Sequence, residues 1–184
     1  MASNIEERLT ELEAEVRRLR DIEAIKQLQA RFWLACDGDV RYGPTHLPEA
    51  IAELFTEDGS WGPLQVAGDD DPDSMDFPKG RQELLDYFRG TQERVPFAMH
   101  FGAAPLIEVD GDEATGKWKL MGTMETAAHQ ALLAGAIYHT AYRRTPDGWR
   151  IRSSRLVLGF NTPWEDGWGK TKYAALVRNA EQPA

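Results

Sequence analysis

The sequence has little of what disulfide-bonded, metal-binding and membrane proteins need. It contains one cysteine, Cys36, which excludes an internal disulfide and a cage of thiolate metal ligands. Its four histidines are scattered without a metal-ligand spacing, so we predict no metal site. No apolar run is long enough to span a bilayer, and the first residues lack the charged and apolar regions of a signal peptide. These absences predict a cytoplasmic protein that contacts no membrane.

Basic residues are also scarce relative to acidic ones. The net charge is −9, whereas binding to nucleic acid or to an anionic membrane surface requires clustered lysine and arginine. The one basic cluster, residues 17–20, has acidic neighbours. We therefore expect no nucleic acid among the partners.

The first part of the chain predicts one long helix. Ser3 and Glu6 form a capping-box pattern. Apolar residues then follow at helical spacing up to Asp37 and Gly38, where glycine can end the helix. The start of this seam resembles a coiled coil, and it packs either on its own domain or on another subunit. The apolar positions of the seam are Ile5, Leu9, Leu12, Val16, Leu19, Ile22, Ile25, Leu28 and Phe32.

Shorter elements follow the long helix. One short helix is predicted from Pro48 to Phe55, with a turn at Glu57-Asp58-Gly59 after it, and another helix begins at Gly80. An acidic surface loop is expected at residues 68–73. Further on, the pattern changes to strands separated by turns. The predicted strands are residues 97–109, 114–126, 132–144 and 149–160.

Helices followed by a meander of strands predict an α+β fold. With 184 residues the chain suits one domain. In that domain a curved antiparallel sheet wraps around the long N-terminal helix and forms a cone with an internal pocket. Pro105 predicts a bulge that helps the first strand of the meander to curve. We divide the chain into a helical extension (1–20), the cone (21–163) and a tail over the pocket mouth (164–184).

Asp37 and His100 are the first candidates for chemistry. His100 lies in an apolar strand, where a histidine needs a polar partner. Asp37 lies at the C-terminal end of a helix, where the helix dipole disfavours a carboxylate. If the two meet, the carboxylate fixes the tautomer of the imidazole and makes its other nitrogen a general base near neutral pH. Cys36 beside Asp37 is interpreted as a small buried residue.

Several segments resemble the SnoaL-like branch of the nuclear transport factor-like superfamily. They extend from about Asp21 to Phe160. Their order along the chain indicates the family more specifically than any one segment does. The resemblance implies a cone-shaped α+β fold with an internal pocket. The matching segments are Asp21-Ile22-Glu23-Ala24-Ile25 through Asp37, Leu54-Phe55-Thr56-Glu57-Asp58-Gly59-Ser60-Trp61, Gly80-Arg81, Ile107-Glu108-Val109-Asp110-Gly111-Asp112-Glu113-Ala114, and Tyr142-Arg143-Arg144 to Gly148-Trp149-Arg150-Ile151.

The resemblance also implies a reaction. Asp37 and His100 resemble the aspartate and histidine of cofactor-independent lyases in this superfamily: scytalone dehydratase, bile acid 7α-dehydratase and hexachlorocyclohexane dehydrochlorinase. In these enzymes the histidine moves a proton and the aspartate orients it. Relatives carry lysine or tyrosine where this chain has Phe32, and the pocket arginine of the dehydrochlorinase aligns with Ser154. Arg155 is the substitute candidate, because alternation places it on the core face of its strand unless a bulge intervenes.

The remaining candidates are side chains that could line the pocket and hold a planar ligand. Tyr42 either donates a hydrogen bond to a substrate oxygen or is an exposed loop tyrosine. His46 and His129 are interpreted as surface residues, and His139 as facing outward if the neighbouring tyrosines face the pocket. The predicted substrate-binding set is Tyr42, Trp61, Phe32, Trp33, Phe101, Tyr138, Asn161 and Trp164.

Together these residues predict a lyase that needs neither metal nor organic cofactor and acts on a hydrophobic, hydroxylated, aromatic small molecule. His100 is the general base or acid, Asp37 orients it, and Arg155 or Tyr42 stabilises negative charge on oxygen. Elimination of water is the first choice and loss of formaldehyde is the second. The alternatives are an isomerase or cyclase on the same scaffold, a non-catalytic ligand-binding protein, or a small dioxygenase subunit. Relatives form dimers or trimers, so we expect a homo-oligomer, either a trimer or a dimer.

Overall fold

The computed structural model describes residues 4–39, 43–66 and 77–165, with side chains omitted at 63–66. Four features of the sequence predictions lie outside the described residues. They are Ser3, Tyr42, the acidic loop at 68–73 and the tail from residue 166 onward.

The predicted long helix is confirmed as α1 (Ile5–Asp37). Its cap begins one residue later than predicted, because Asn4 is the capping residue. The Asn4 side chain accepts a hydrogen bond from the Glu6 N–H, and the Asn4 N–H donates to the Glu7 carboxylate. The helix ends at Gly38, whose φ of 64° suits glycine. Both ends of α1 are thus set by local sequence.

The predicted short helices and the four strands of the meander are present, but one strand was missed. Residues 57–59 were expected to form a turn after a helix reaching Phe55. Instead, the helix ends at Glu53 and these residues continue a strand that begins at Phe55. After α1 the elements are α2 (Pro48–Glu53), β1 (Phe55–Val66), α3 (Gly80–Arg94), β2 (Phe97–Asp110), β3 (Glu113–Glu125), β4 (Ala131–Thr145) and β5 (Gly148–Pro163).

The strands form one open five-stranded sheet in the order β1-β5-β4-β3-β2. Strands β2 to β5 are the predicted antiparallel meander. Strand β1 pairs in parallel with β5, so the sheet is mixed, whereas a purely antiparallel sheet was expected. The α+β cone is confirmed, with the long helix packed against the inner face of the curved sheet.

Bulges in β2 and β5 change which face of the sheet the following side chains occupy. In β2 the pairing with β3 slips between Ala103 and Leu106, which confirms the bulge predicted at Pro105. In β5 the pairing with β4 slips after Ile151, leaving Arg152 as the extra residue. Because side chains alternate along a strand, one extra residue exchanges the faces of the side chains that follow it, up to the next bulge.

The two halves of α1 have different surroundings. The second half contributes Ile25, Leu28 and Phe32 to the core, all at most 1% exposed. The apolar residues of the first half remain exposed, from 42% at Val16 to 82% at Ile5. Of the two alternatives for the seam, packing on its own domain is therefore wrong for the described residues. Packing on another subunit remains a prediction. None of the described helices combines the length and apolar character required to cross a membrane.

A carboxylate attaches the middle of α1 to the sheet. Asp21 receives two hydrogen bonds of 2.8 Å from the Arg144 guanidinium and one of 3.0 Å from the Trp149 indole. The guanidinium also lies 4.4 Å from the centre of the Trp149 ring. The Arg144 guanidinium holds the pKa of the Asp21 carboxyl below its ordinary value, so the pair stays ionised at neutral pH. This contact fixes the middle of α1 against β4 and β5.

Candidate active site

Asp37 and His100 are hydrogen-bonded where α1 ends against β2. His100 Nδ1 lies 2.6 Å from Asp37 Oδ1, and the His100 backbone N–H donates to the same oxygen at 3.0 Å. The two side chains are only 12% and 11% exposed. A carboxylate next to Nδ1 favours the tautomer with its proton on Nδ1. Nε2 is then left with a lone pair that can take up a proton.

A close approach between helix and strand brings the pair together. Trp33 lies one helical turn before Asp37, and Gly102 lies two residues after His100 on the same face of β2. A Cβ atom on Gly102 would overlap the six-membered ring of Trp33, so the glycine makes room for the indole. The tryptophan therefore does not line the pocket as predicted. It sets the distance at which α1 meets β2.

His100 borders a cavity of about 210 Å³ in the interior of the cone. Most of the lining is apolar or aromatic. A cavity of about 150 Å³ in another protein is large enough to bind benzene, so this one suits a single aromatic ring with small substituents. Besides His100, the lining includes His46, Trp61, Phe88, Ala98, Tyr138 and Leu156.

Three ionisable groups in the cavity wall are held in their uncharged forms. Burial raises the pKa of the Tyr138 phenol and of the Cys36 thiol well above their ordinary values. Burial lowers the pKa of His46 to about 3, helped by the nearby His100 and Arg94. At neutral pH these three groups are therefore a phenol, a thiol and a neutral imidazole, and Arg94 lines the cavity beside them.

The prediction that His46 is a surface residue is wrong, because its side chain is only 7% exposed. The His46 N–H donates to the Cys36 carbonyl at 2.8 Å, and the next N–H donates to the Ala35 carbonyl at 2.9 Å. These bonds fold the loop back over the last turn of α1. The imidazole then stacks on Phe88, and its centre lies 6.4 Å from that of His100. Polar loop composition gave no sign of this burial; the one available signal was closeness in sequence to Asp37.

The structure does not place Arg155 in the pocket. Beyond the bulge at Arg152, Ser154 is fully buried on the inner face, and Leu156 lines the cavity. Arg155 therefore points to the opposite face of β5. There its guanidinium lies against the Phe77 ring, with the carbon 4.6 Å from the ring centre, and donates to the Ser154 carbonyl at 3.2 Å.

Phe101 does not line the pocket either, although it was predicted to do so. Because His100 faces inward, strand alternation turns Phe101 outward, where it is 53% exposed. Asn161 and Trp164 are exposed and do not line the cavity. Phe32 is fully buried in the core, whereas Trp61 and Tyr138 do line the cavity.

The other two histidines are exposed, as predicted. His139 alternates outward on β4, and His129 lies in the turn before it, with its ring 2.6 Å from Glu125. Within residues 4–39, 43–66 and 77–165, no group of three or more His, Cys, Asp or Glu side chains is arranged to hold a metal ion.

Comparison with known proteins gives one family match and several similar structures. The model of the SnoaL-like domain family matches residues 17–155. Hexachlorocyclohexane dehydrochlorinase LinA-type3 from Novosphingobium barchaimii LL02 is similar with a TM-score of 0.67 and 20% identity, over 83% of this chain and 96% of that chain.

Two proteins from Novosphingobium aromaticivorans are similar as well. One, assigned as a scytalone dehydratase, has a TM-score of 0.65 and 16% identity over 82% of this chain and 91% of that chain. The other, an NTF2-like protein with a cystatin-like fold, has a TM-score of 0.57 and 25% identity over 99% of each chain. The similarity to the dehydrochlorinase and to the scytalone dehydratase shows a common fold.

Proposed function

The chain belongs to the SnoaL-like domain family, and on that basis we propose that it is a lyase acting on a hydrophobic, hydroxylated aromatic molecule without metal or organic cofactor. The observation that carries the proposal is the hydrogen-bonded pair of Asp37 and His100 at the wall of a largely apolar cavity. A base in such a site is shielded from water, which strengthens its electrostatic contacts with a bound ligand. The dehydrochlorinase and dehydratase names of two similar structures support the same class.

In the proposed reaction, Nε2 of His100 takes a proton from a carbon next to the one that bears a hydroxyl group. The electrons of that C–H bond form a double bond while the C–O bond breaks. The departing hydroxide takes the proton back from the imidazolium, so the products are an alkene and water, and the base is regenerated. Asp37 holds the imidazole in the required tautomer and stabilises its protonated form.

Release of formaldehyde is the second choice within the class. Here His100 takes the proton of a hydroxymethyl O–H, the C–C bond breaks as formaldehyde forms, and the carbon left behind takes up a proton. Tyr138 is the proposed hydrogen-bond donor to substrate oxygen in either reaction. It lines the cavity, and its raised pKa keeps the phenol protonated.

The proposal also includes a homo-oligomer, a dimer or a trimer. It is supported by the exposed apolar seam on the first half of α1, which repeats at the spacing of helix pairs. The partners proposed are thus a small molecule and further copies of the chain. Nucleic acid is not among them, because the net charge is −9.

Product masses discriminate between the reaction classes. The purified protein is incubated in deuterated buffer with single-ring aromatic alcohols, with and without a hydroxymethyl group, and the products are weighed by mass spectrometry. Loss of one water supports elimination, and loss of one formaldehyde supports C–C cleavage. A product of unchanged mass apart from incorporated deuterium supports the isomerase alternative and contradicts the lyase. No conversion of any alcohol in the panel also counts against it.

Two substitutions test which group assists the reaction at oxygen. Tyr138→Phe is expected to lower kcat by about tenfold, because one hydrogen bond to the reacting oxygen is lost. Arg155→Met is expected to keep kcat within about twofold of the wild type, since its guanidinium lies on the opposite face of the sheet. Steady-state kinetics on the converted alcohol measures both. The reverse order of effects would assign the role to Arg155.

A further inference from the structure

The hydrogen bonds around His46 determine which of its ring nitrogens is protonated. The Thr45 hydroxyl donates its own proton to the Val95 carbonyl at 2.6 Å. That hydroxyl can therefore only accept from His46 Nδ1, which lies 3.2 Å away. The imidazole thus carries its proton on Nδ1, and Nε2 keeps a lone pair.

This lone pair remains available throughout the neutral range. Burial disfavours the protonated ring, and the positive charge of Arg94 and of a protonated His100 disfavours it further. His46 consequently differs from His100, which has a carboxylate partner. His46 is suited to accepting a hydrogen bond, and unsuited to carrying a proton during the reaction.

The backbone holds His46 in an uncommon conformation. Its φ is 50°, in the left-handed region that few residues other than glycine adopt. The two N–H groups of His46 and Leu47 bonded to the end of α1 fix this geometry. Strained residues that the surrounding structure over-determines are concentrated at functional sites. The strain here places an imidazole in the cavity wall.

We propose that Nε2 of His46 accepts a hydrogen bond from a hydroxyl group of the substrate and so orients the substrate for His100. The ring centres of the two histidines are 6.4 Å apart, so one small ligand can contact both. The substrate class is thereby narrowed to aromatic molecules with a free hydroxyl group close to the reacting atoms. An O-methylated analogue lacks the O–H group that would donate this hydrogen bond to His46. The inference rests on the proposed site, although its test measures binding and needs no turnover.

The probes are 4-methylphenol and its methyl ether, 4-methylanisole, titrated into the 184-residue chain by calorimetry. The wild type is expected to bind the phenol about 3–10-fold more tightly, the range for one net hydrogen bond. In His46→Phe the preference falls to about one, while the new ring keeps the stacking on Phe88. In His100→Ala the preference is retained. This pair of variants separates the two imidazole acceptors, and the anisole corrects for changes in cavity shape.

His46→Asn provides a second variant in case phenylalanine disturbs folding. Asparagine tolerates the left-handed conformation and has a shorter side chain, so the preference for the phenol should again be lost. In ¹⁵N spectra of the wild type, 4-methylphenol should shift the Nε2 resonance of His46, and 4-methylanisole should leave it nearly unchanged.

Three outcomes overturn the proposal. They are a preference that survives both His46 variants, a preference that disappears only in His100→Ala, and failure of both probes to bind. The first two leave the proposed lyase intact. Conversely, the phenol preference can depend on His46 as proposed while the protein converts no alcohol. That result would contradict the lyase proposal and leave the His46 proposal intact.

Discussion

His100→Ala is expected to lower kcat/KM by about 10²–10⁴-fold, the usual contribution of a positioned general base. The substitution removes the nitrogen that takes the proton and leaves the cavity otherwise lined as before. Steady-state kinetics with the alcohol that the wild type converts provides the measurement. His139→Ala is the matched control, because it removes an exposed imidazole from the neighbouring part of the same sheet. It should change kcat/KM by less than about twofold.

Asp37→Asn tests whether the two residues act as a unit. Asparagine keeps an oxygen that can accept from the His100 backbone, but it lacks the charge that fixes the tautomer and stabilises the imidazolium. The rate should fall by a comparable factor, and the double variant should be hardly slower than His100→Ala alone, because residues that act together are not additive. If both single variants stay folded by circular dichroism and keep wild-type turnover, the proposed mechanism is wrong.

Phe32→Ala is expected to lower the free energy of unfolding by about 3–5 kcal/mol, the range for deleting a buried phenylalanine. The Phe32 ring is fully buried and contacts four other aromatic rings. Urea denaturation followed by circular dichroism measures the loss. The ring partners of Phe32 are Phe55, Trp61, Phe88 and Tyr138.

Leu34→Ala is the control for this loss. Leu34 lies two residues further along the same helix but is 67% exposed. Alanine is at least as good a helix former as leucine, so the expected change is within about 0.5 kcal/mol. Equal losses for the two variants would mean that the aromatic cluster does not carry the stability of the cone.

Local patterns in the sequence were sufficient for α1 and for strands β2 to β5. Helical spacing ends at Gly38, and hairpin turns separate strands that pair with their sequence neighbours. Strand β1 was missed because its partner, β5, is about ninety residues further along the chain. Nothing near Phe55 indicates whether the helix continues or a parallel pair begins, since that pairing is decided by tertiary contact.

The candidate site was predictable where one residue had no local partner. An imidazole in an apolar strand and a carboxylate at a helix end each required compensation, and their hydrogen bond supplies it. The other predicted site residues on strands depended on which face of the sheet each side chain occupies. Arg155 changed face because of a bulge that no proline or glycine marks, and Phe101 follows from the orientation of His100. His46 was missed because its burial results from a loop closing on α1.

Trp33 and Gly102 have a consequence for how homologous sequences can diverge. The Trp33 indole occupies the volume that a Cβ atom at position 102 would need. The side chains at positions 33 and 102 therefore compete for the same volume. A homologue with a small residue at 33 is free to carry a larger one at 102, whereas one that keeps tryptophan is restricted to glycine. We therefore expect covariation between these positions. Each pair of sizes would set a different separation between the aspartate and the histidine, and so provide an evolutionary route to altered reactivity outside the cavity wall.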